Sequence, residues 1–318
     1  MSRLLAGIDL GTNTVRLLVA EADAAMGLAP RWTDQAVTRL GEGLTARGTL
    51  APAAAERTLT AVRRYRDRAQ VLGAAEVLLV ATAAVRQARD GRHFLALLQA
   101  EPGIRPRIVS GEEEAELTLL GASWGLGAPG GTFALLDIGG GSTELLVAEG
   151  ARTLRAVSLK LGVVQLVERF FPSDPVQPGE LAACRSYVDA RLREEAWAGI
   201  RELRPAKLVA TAGTPATLAV LDLGLPAYDP ARVHGHRLSA DAVARLTQEL
   251  AALPVAERAR RPGLEPGRAD VIVPGAIVLA AALDGLGLLE ATVSDAGLRE
   301  GILLAAVGWR PPAAAPQE

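Results

Sequence analysis

A twelve-residue stretch occurs twice in this 318-residue chain, and that repeat narrows the choice of fold more than any other feature. Residues 9–20 read DLGTNTVRLLVA and residues 137–148 read DIGGGSTELLVA, aligned without a gap at an offset of 128. Six of the twelve positions are identical, including the Asp, the Gly two residues on and the closing LLVA. Thr14 meets Ser142, a hydroxyl for a hydroxyl. Two unrelated apolar strands could share LLVA, but not the Asp-x-Gly and hydroxyl positions as well. The pattern is that of a duplicated unit. In each copy an apolar run (3–9, then 133–137) brings an aspartate to its end. A turn of small residues follows, and a second apolar run (14–21, then 143–148) returns as a hairpin.

The chemistry of both turns is alike. Backbone N–H groups of small residues converge on anions such as phosphate oxygens. Thr12, Asn13 and Thr14 in the first turn, and Ser142 and Thr143 in the second, add side-chain donors. The aspartate is a hard oxygen ligand suited to a divalent cation. A third turn, Thr211-Ala212-Gly213-Thr214, lies between a strand and a helix, where a helix N-terminus can meet an anion.

Around these turns the pattern alternates strands and helices, which gives an α/β class with mixed sheets. Helices are expected at 52–71, 83–100, 112–123, 161–170, 179–203, 239–252, 269–285 and 298–308, with Pro274 kinking its helix. Further strands are expected at 77–81, 107–109, 208–210 and 291–293. Residues 125–131, with four Gly and one Pro, read as a linker.

Composition excludes several classes. Apolar residues are 49% and charged residues 22%, values of a globular chain. A net charge of −2 is not that of a dedicated nucleic-acid binder. Aromatics at 3% do not make a stacking platform. No membrane span is expected; the uncharged run Leu208–Leu221 is too short. One cysteine, Cys184, and no leader-like N-terminus point to the cytoplasm. His234 and His236 form an H-x-H with no third metal ligand nearby, so hydrogen-bonded imidazoles are expected there.

The stretches GIDLGTNTVRLLVA, ATAAVRQA, SGEEEAELTLLG, LLDIGGGSTELLVA, TAGTPATLA, RADVIVPGA and VSDAGLREGIL, spanning residues 7–303, resemble the exopolyphosphatase / guanosine pentaphosphate phosphohydrolase family of the short, two-domain type. The resemblance implies duplicated actin-like ATPase (ribonuclease H-like) domains flanking a central cleft. Residues 1–121 with a returning C-terminal helix, 298–318, would form the first domain and 122–297 the second. It implies release of terminal orthophosphate from linear polyphosphate, with guanosine pentaphosphate as the alternative substrate. By motif, it implies Glu114 as the catalytic carboxylate, with Glu113 and Arg86 beside it. Asp137 and Glu144 would hold Mg²⁺ or Mn²⁺. Asp9, Gly11, Thr12, Asn13, Thr14, Arg16, Gly139, Gly140, Gly141, Ser142, Thr143, Gly213, Thr214 and Arg268 would hold phosphates. Two positions depart from the family pattern: Asp90 stands where Asn is frequent, and Ala212 where the third turn usually has Gly.

Hydrolysis of a phosphoanhydride needs the phosphates held, their charge neutralised and a water aimed in line. Glu114 suits the water, Asp137 and Glu144 the cation, and Arg86 the equatorial oxygens. Residues 101–150 hold eight acidic and two basic residues, whereas residues 1–100 hold nine acidic and thirteen basic. A small-molecule kinase of the same superfold and a phosphate-sensing binding protein are the competing readings. A homodimer is left open.

Overall fold

The computed structural model describes residues 2–127 and 130–311. The chain divides into two compact units, Met1–Gly127 with Ala296–Ala313, and Ala128–Asp295 with Ala314–Glu318. Residues 128–129 of the expected linker and 312–318 of the expected C-terminal segment lie outside the described residues.

The first unit has a five-stranded sheet in the order β3-β2-β1-β4-β5. Its strands are β1 (Arg3–Leu10), β2 (Thr14–Asp23), β3 (Gly27–Val37), β4 (Glu76–Ala81) and β5 (Ile104–Ile108). β1, β2 and β3 form an antiparallel meander, and β4 and β5 continue parallel to β1. The second unit has the order β10-β11-β9-β6-β7-β8. Here β6 (Thr132–Ile138), β7 (Thr143–Glu149) and β8 (Arg152–Leu159) form the meander. β9 (Leu208–Thr211) and β11 (Glu290–Ser294) continue parallel to β6, and β10 (Arg237–Ser239) adds an antiparallel edge. Both sheets share one plan, a three-stranded meander extended by parallel strands. This is the duplicated actin-like, ribonuclease H-like α/β architecture.

β1 reads as an almost unbroken apolar run because both of its faces are covered. Ala6, Ile8 and Leu10 enter a core with Leu59, Val62 and Tyr65 of the helix Pro52–Val71. Leu5 packs on the other face against Leu303 and Leu304 of the helix Leu298–Ala306. That helix in turn crosses the helix Gly111–Leu126 at van der Waals distance. A β-carbon on Gly121 would lie 1.9 Å from the Gly297 carbonyl oxygen, and one on Gly301 1.9 Å from that of Leu117. Two glycines thus lock in place the helix that carries Glu114.

The structure departs from the sequence pattern in four places. The meanders have third strands, β3 and β8, that the hairpin reading omits, and β10 is a further edge strand. The expected helix 83–100 is two helices, Ala83–Gln87 and Gly91–Gln99. The chain folds back so tightly between them that a β-carbon on Gly91 would sit 1.9 Å from the Val85 carbonyl oxygen. The expected helix 179–203 is helical to its end but not uniformly: α-helical over Pro178–Leu192, widened into a π turn at Arg193–Trp197, α-helical again at Ala198–Ile200 and closed by a 3-10 turn at Arg201–Leu203. Pro274 does not lie mid-helix, because its helix starts at Ile272. In the first turn its missing N–H has no intrahelical acceptor to lose.

Candidate active site

The two repeated turns have the same backbone geometry. Gly11 N donates to Thr14 O at 3.1 Å, and Gly139 N donates to Ser142 O at 3.0 Å. A β-carbon on Gly11 would lie 2.9 Å from Thr14 O, and one on Gly139 2.9 Å from Ser142 O. Each glycine is therefore required by the turn that follows it. Asp9 lies opposite Arg16 in the β1–β2 register, and Asp137 lies opposite Glu144 in the β6–β7 register.

In the first turn Thr12, Asn13 and Thr14 are buried, yet Thr12 Oγ1, Asn13 Nδ2 and Thr14 Oγ1 make no hydrogen bond among the described residues. Buried polar atoms are as a rule hydrogen-bonded. Three such atoms on consecutive residues make a donor set for a group from outside the chain. The Arg16 guanidinium, two residues further along β2, makes no hydrogen bond or ion pair among the described residues either. In the second turn Ser142 is buried and Gly139 and Gly140 are half-exposed. The Thr143 hydroxyl donates to Leu161 O at 2.8 Å.

Each turn is clamped from behind by the segment after the third strand, which the sequence reading missed along with β3 and β8. Thr38 N and Arg39 N both donate to Asn13 O, at 3.0 and 2.9 Å, and Gly41 N donates to Thr12 O at 2.9 Å. A β-carbon on Gly41 would lie 2.2 Å from Thr12 Cγ2. In the second unit Val163 N and Val164 N donate to Gly139 O and Gly140 O, at 3.1 and 3.0 Å. There a β-carbon on Gly162 would lie 2.3 Å from Gly140 O. The signal was present in the sequence as a second repeated pair, Leu40-Gly41 and Leu161-Gly162.

Glu114 is 7% exposed, on the first turn of the helix Gly111–Leu126. Ser110 caps that helix, its Oγ accepting from Glu113 N at 3.1 Å. Arg86 Nη1 donates to Glu114 Oε2 at 3.0 Å and to Val109 O at 2.9 Å, which fixes the carboxylate from one side. The two neighbours behave differently. Glu112 is exposed, and Glu113 is half-exposed and paired with Arg107. Asp90 Oδ1 accepts from Leu50 N at 3.0 Å, which ties Asp90 to the residue two before the helix Pro52–Val71.

The third turn joins β9 to the helix Gly213–Asp222 through Ala212, at φ 75° and ψ −166°. Arg268 packs on it so closely that a β-carbon on Gly213 would lie 1.7 Å from Arg268 Nη1. Glu265 Oε2 accepts from Arg268 Nε at 2.9 Å and holds the guanidinium there. Thr214 is buried under Gly275, where a β-carbon would lie 2.2 Å from Thr214 Oγ1.

The family resemblance implies a divalent cation, and the donor set accommodates one. Asp137 and Glu144 occupy facing positions on β6 and β7, so their side chains share a face of the sheet. Glu144 is 2% exposed, and its Oε1 accepts from Ser158 Oγ at 2.7 Å. Among the described residues no three His, Cys, Asp or Glu side chains cluster for a metal. A pair of carboxylates suits Mg²⁺, which takes few protein ligands and keeps waters and substrate oxygens. The H-x-H pair has other partners: His236 Nε2 is 2.9 Å from Asp222 Oδ2, and His234 Nδ1 accepts from Asp295 N at 3.2 Å.

Known proteins match this chain over nearly its whole length. The model of the Ppx/GppA phosphatase family matches residues 18–308. "Exopolyphosphatase 2" of Mycobacterium tuberculosis is 36% identical over 316 residues, covering 96% of this chain and 98% of that protein. Among solved structures, the Aquifex aeolicus member of the Ppx/GppA family superposes with a TM-score of 0.80 at 29% identity, covering 96% of this chain and 98% of that one. An exopolyphosphatase from Cytophaga hutchinsonii superposes with a TM-score of 0.89 at 25% identity, covering 98% of this chain and all of the other.

Proposed function

Because the chain belongs to the Ppx/GppA phosphatase family, we propose that it is an exopolyphosphatase, which releases terminal orthophosphate from linear polyphosphate. The observation that carries this reading is the pair of turns, one in each unit, built on the same Gly-to-hydroxyl-residue hydrogen bond. A linear phosphate chain offers the same charged oxygens at every unit, and a duplicated anion turn matches such a repeating ligand.

In this reading Thr12, Asn13, Thr14 and Arg16 take phosphate oxygens in the first unit, with Asp9 facing Arg16 from the end of β1. Gly139, Gly140, Gly141 and Ser142 do so through the second turn, and Gly213, Thr214 and Arg268 through the third. Glu114 orients the attacking water and accepts its proton, while Arg86 keeps the carboxylate aligned and its guanidinium near the phosphate oxygens. Glu113 supports the helix terminus through its pair with Arg107. Asp137 and Glu144 are the residues that would hold Mg²⁺ or Mn²⁺. When bound, such an ion would supply charge neutralisation to the phosphate oxygens. A cytoplasmic setting accords with the single, buried, unpaired Cys184.

Guanosine pentaphosphate ranks second as substrate, since Trp 4, Tyr 3 and Phe 4 leave little to stack a guanine. The test is phosphate release from polyphosphate, guanosine pentaphosphate and ATP, each with Mg²⁺, by the purified chain. The highest kcat/KM is expected on polyphosphate. A preference for the nucleotide reverses the substrate ranking, and phosphate transfer from ATP to an added small acceptor replaces hydrolysis with a kinase.

A further inference from the structure

We propose that Lys160 is a substrate-binding residue for the phosphate chain, gripping a phosphate at the second turn; this rests on the exopolyphosphatase reading. Lys160 is one of two lysines in the chain and directly follows β8. Three contacts pin its backbone beside the turn. Leu159 pairs with Thr143 in the β7–β8 register, Leu161 O accepts the Thr143 hydroxyl at 2.8 Å, and Gly162 abuts Gly140 and Gly141. The segment cannot swing away without breaking the turn itself.

Lys160 sits in the bend that ends β8, where Leu161 N donates to Leu159 O at 2.8 Å. Leu159 and Leu161 are 1% and 0% exposed and enter the core of the second unit. Ser158 and Lys160, between and before them, are exposed. Ser158 Oγ bonds to Glu144 Oε1, opposite Asp137. Lys160 is exposed two residues beyond Ser158, at the bend that packs against the turn.

Its charge is also uncommitted. Lys160 makes no ion pair or hydrogen bond among the described residues, whereas Arg152 at the start of the same strand pairs with Glu149 at 3.1 Å. An ammonium is a compact point charge with three donors on a flexible stem. It suits oxygens of a chain that threads past the turn, where a rigid bidentate fork is not needed. The ligand class is a linear polyanion with charge beyond its reacting unit, so the contact serves grip more than chemistry.

The test compares wild type, Lys160→Gln and Lys160→Arg in steady-state phosphate release and in equilibrium binding of fluorescent polyphosphate, over a range of salt. Lys160→Gln is expected to raise KM and the binding Kd about five-fold, the size of one exposed charge contact, with kcat within about two-fold. The salt dependence of KM should become shallower, and Lys160→Arg should restore affinity. Lys207→Gln, at the exposed other lysine, should change neither. Unchanged KM and Kd in Lys160→Gln overturn the assignment while leaving the hydrolase reading intact. So does a fall in the metal concentration needed for activity, which would make Lys160 a counter-ion of the carboxylates. Lys160-dependent binding without turnover upholds the assignment and removes the hydrolase reading. Neither binding nor turnover removes both.

Discussion

Replacing Ala212 by glycine is expected to stabilise the chain, against the usual sign of that substitution. Ala212 stands at φ 75° and ψ −166° between β9 and its helix. This region belongs almost wholly to glycine and costs other residues about 1–3 kcal/mol. Opposing that gain is the extra freedom of glycine in the unfolded chain, about 0.5–1 kcal/mol. The methyl group is only half-buried, so its loss adds little. The net effect spans about 0–2.5 kcal/mol of gain, centred near 1 kcal/mol, a rise of up to roughly 10 °C in Tm at about 2–4 °C per kcal/mol. Thermal unfolding followed by circular dichroism reads it directly. Ala216→Gly, inside the helix Gly213–Asp222, is the counterpart and should lower stability by about 1 kcal/mol. If both variants lower Tm alike, the strain at Ala212 is not real and the reasoning fails.

Three further outcomes follow, two from the site and one from the core. Glu114→Gln should lower kcat on the order of 10²–10⁴-fold with polyphosphate affinity little changed, while exposed Glu112→Gln stays near wild type; the reverse result in single-turnover assays would shift the catalytic position by two residues. Asp137→Asn and Glu144→Gln should each raise the Mg²⁺ concentration that half-saturates activity, and wild-type titration curves for both would remove them as ligands. Burial pushes the Cys184 thiol up to about 12, so it stays protonated through neutral pH. A thiol reagent at pH 8 should leave the native chain unlabelled and label it once after denaturation; rapid native labelling would contradict that burial.

What the sequence revealed, and what it hid, follows from burial. β1, β2, β6 and β7 are apolar on both faces or nearly so, and their residues announce them. β3 (GLAPRWTDQAV) and β8 (RTLRAVSL) are edge strands with mixed exposure, and β3 carries Pro30. An edge strand is half solvated, tolerates proline and charge, and gives no clean alternation. Missing β3 and β8 hid the clamps at Gly41 and Gly162, since a clamp is defined by what it packs against. The break at residues 88–90 is likewise tertiary, set by the contact of Gly91 with Val85 O. The repeat made both turns legible. It could not show that the Thr143 hydroxyl turns toward Leu161 O, because donor type and spacing do not reveal direction.

The duplication is most informative where it is imperfect. Positions 16 and 144 are equivalent in the repeat, and each faces the repeat's aspartate across its hairpin, yet one is Arg and the other Glu. The same backbone therefore presents a carboxylate and a guanidinium in the first unit and two carboxylates in the second. Like charges directly opposite on paired strands destabilise a sheet unless something compensates them. Ser158 donates to one oxygen of Glu144. A divalent cation held by this pair would balance its charge, and a phosphate chain needs such an ion too. In the proposed reading the divalent ion thus belongs to the second unit, while the first meets phosphate charge with Arg16 and neutral donors. Arg16→Glu would then add repulsion where Glu144→Gln removes a ligand. The first should weaken polyphosphate binding with metal demand unchanged, and the second should raise metal demand with binding at saturating metal unchanged. Measured together as Kd for polyphosphate and half-saturating Mg²⁺, a single shared effect of both variants would refute the division of labour between the two copies.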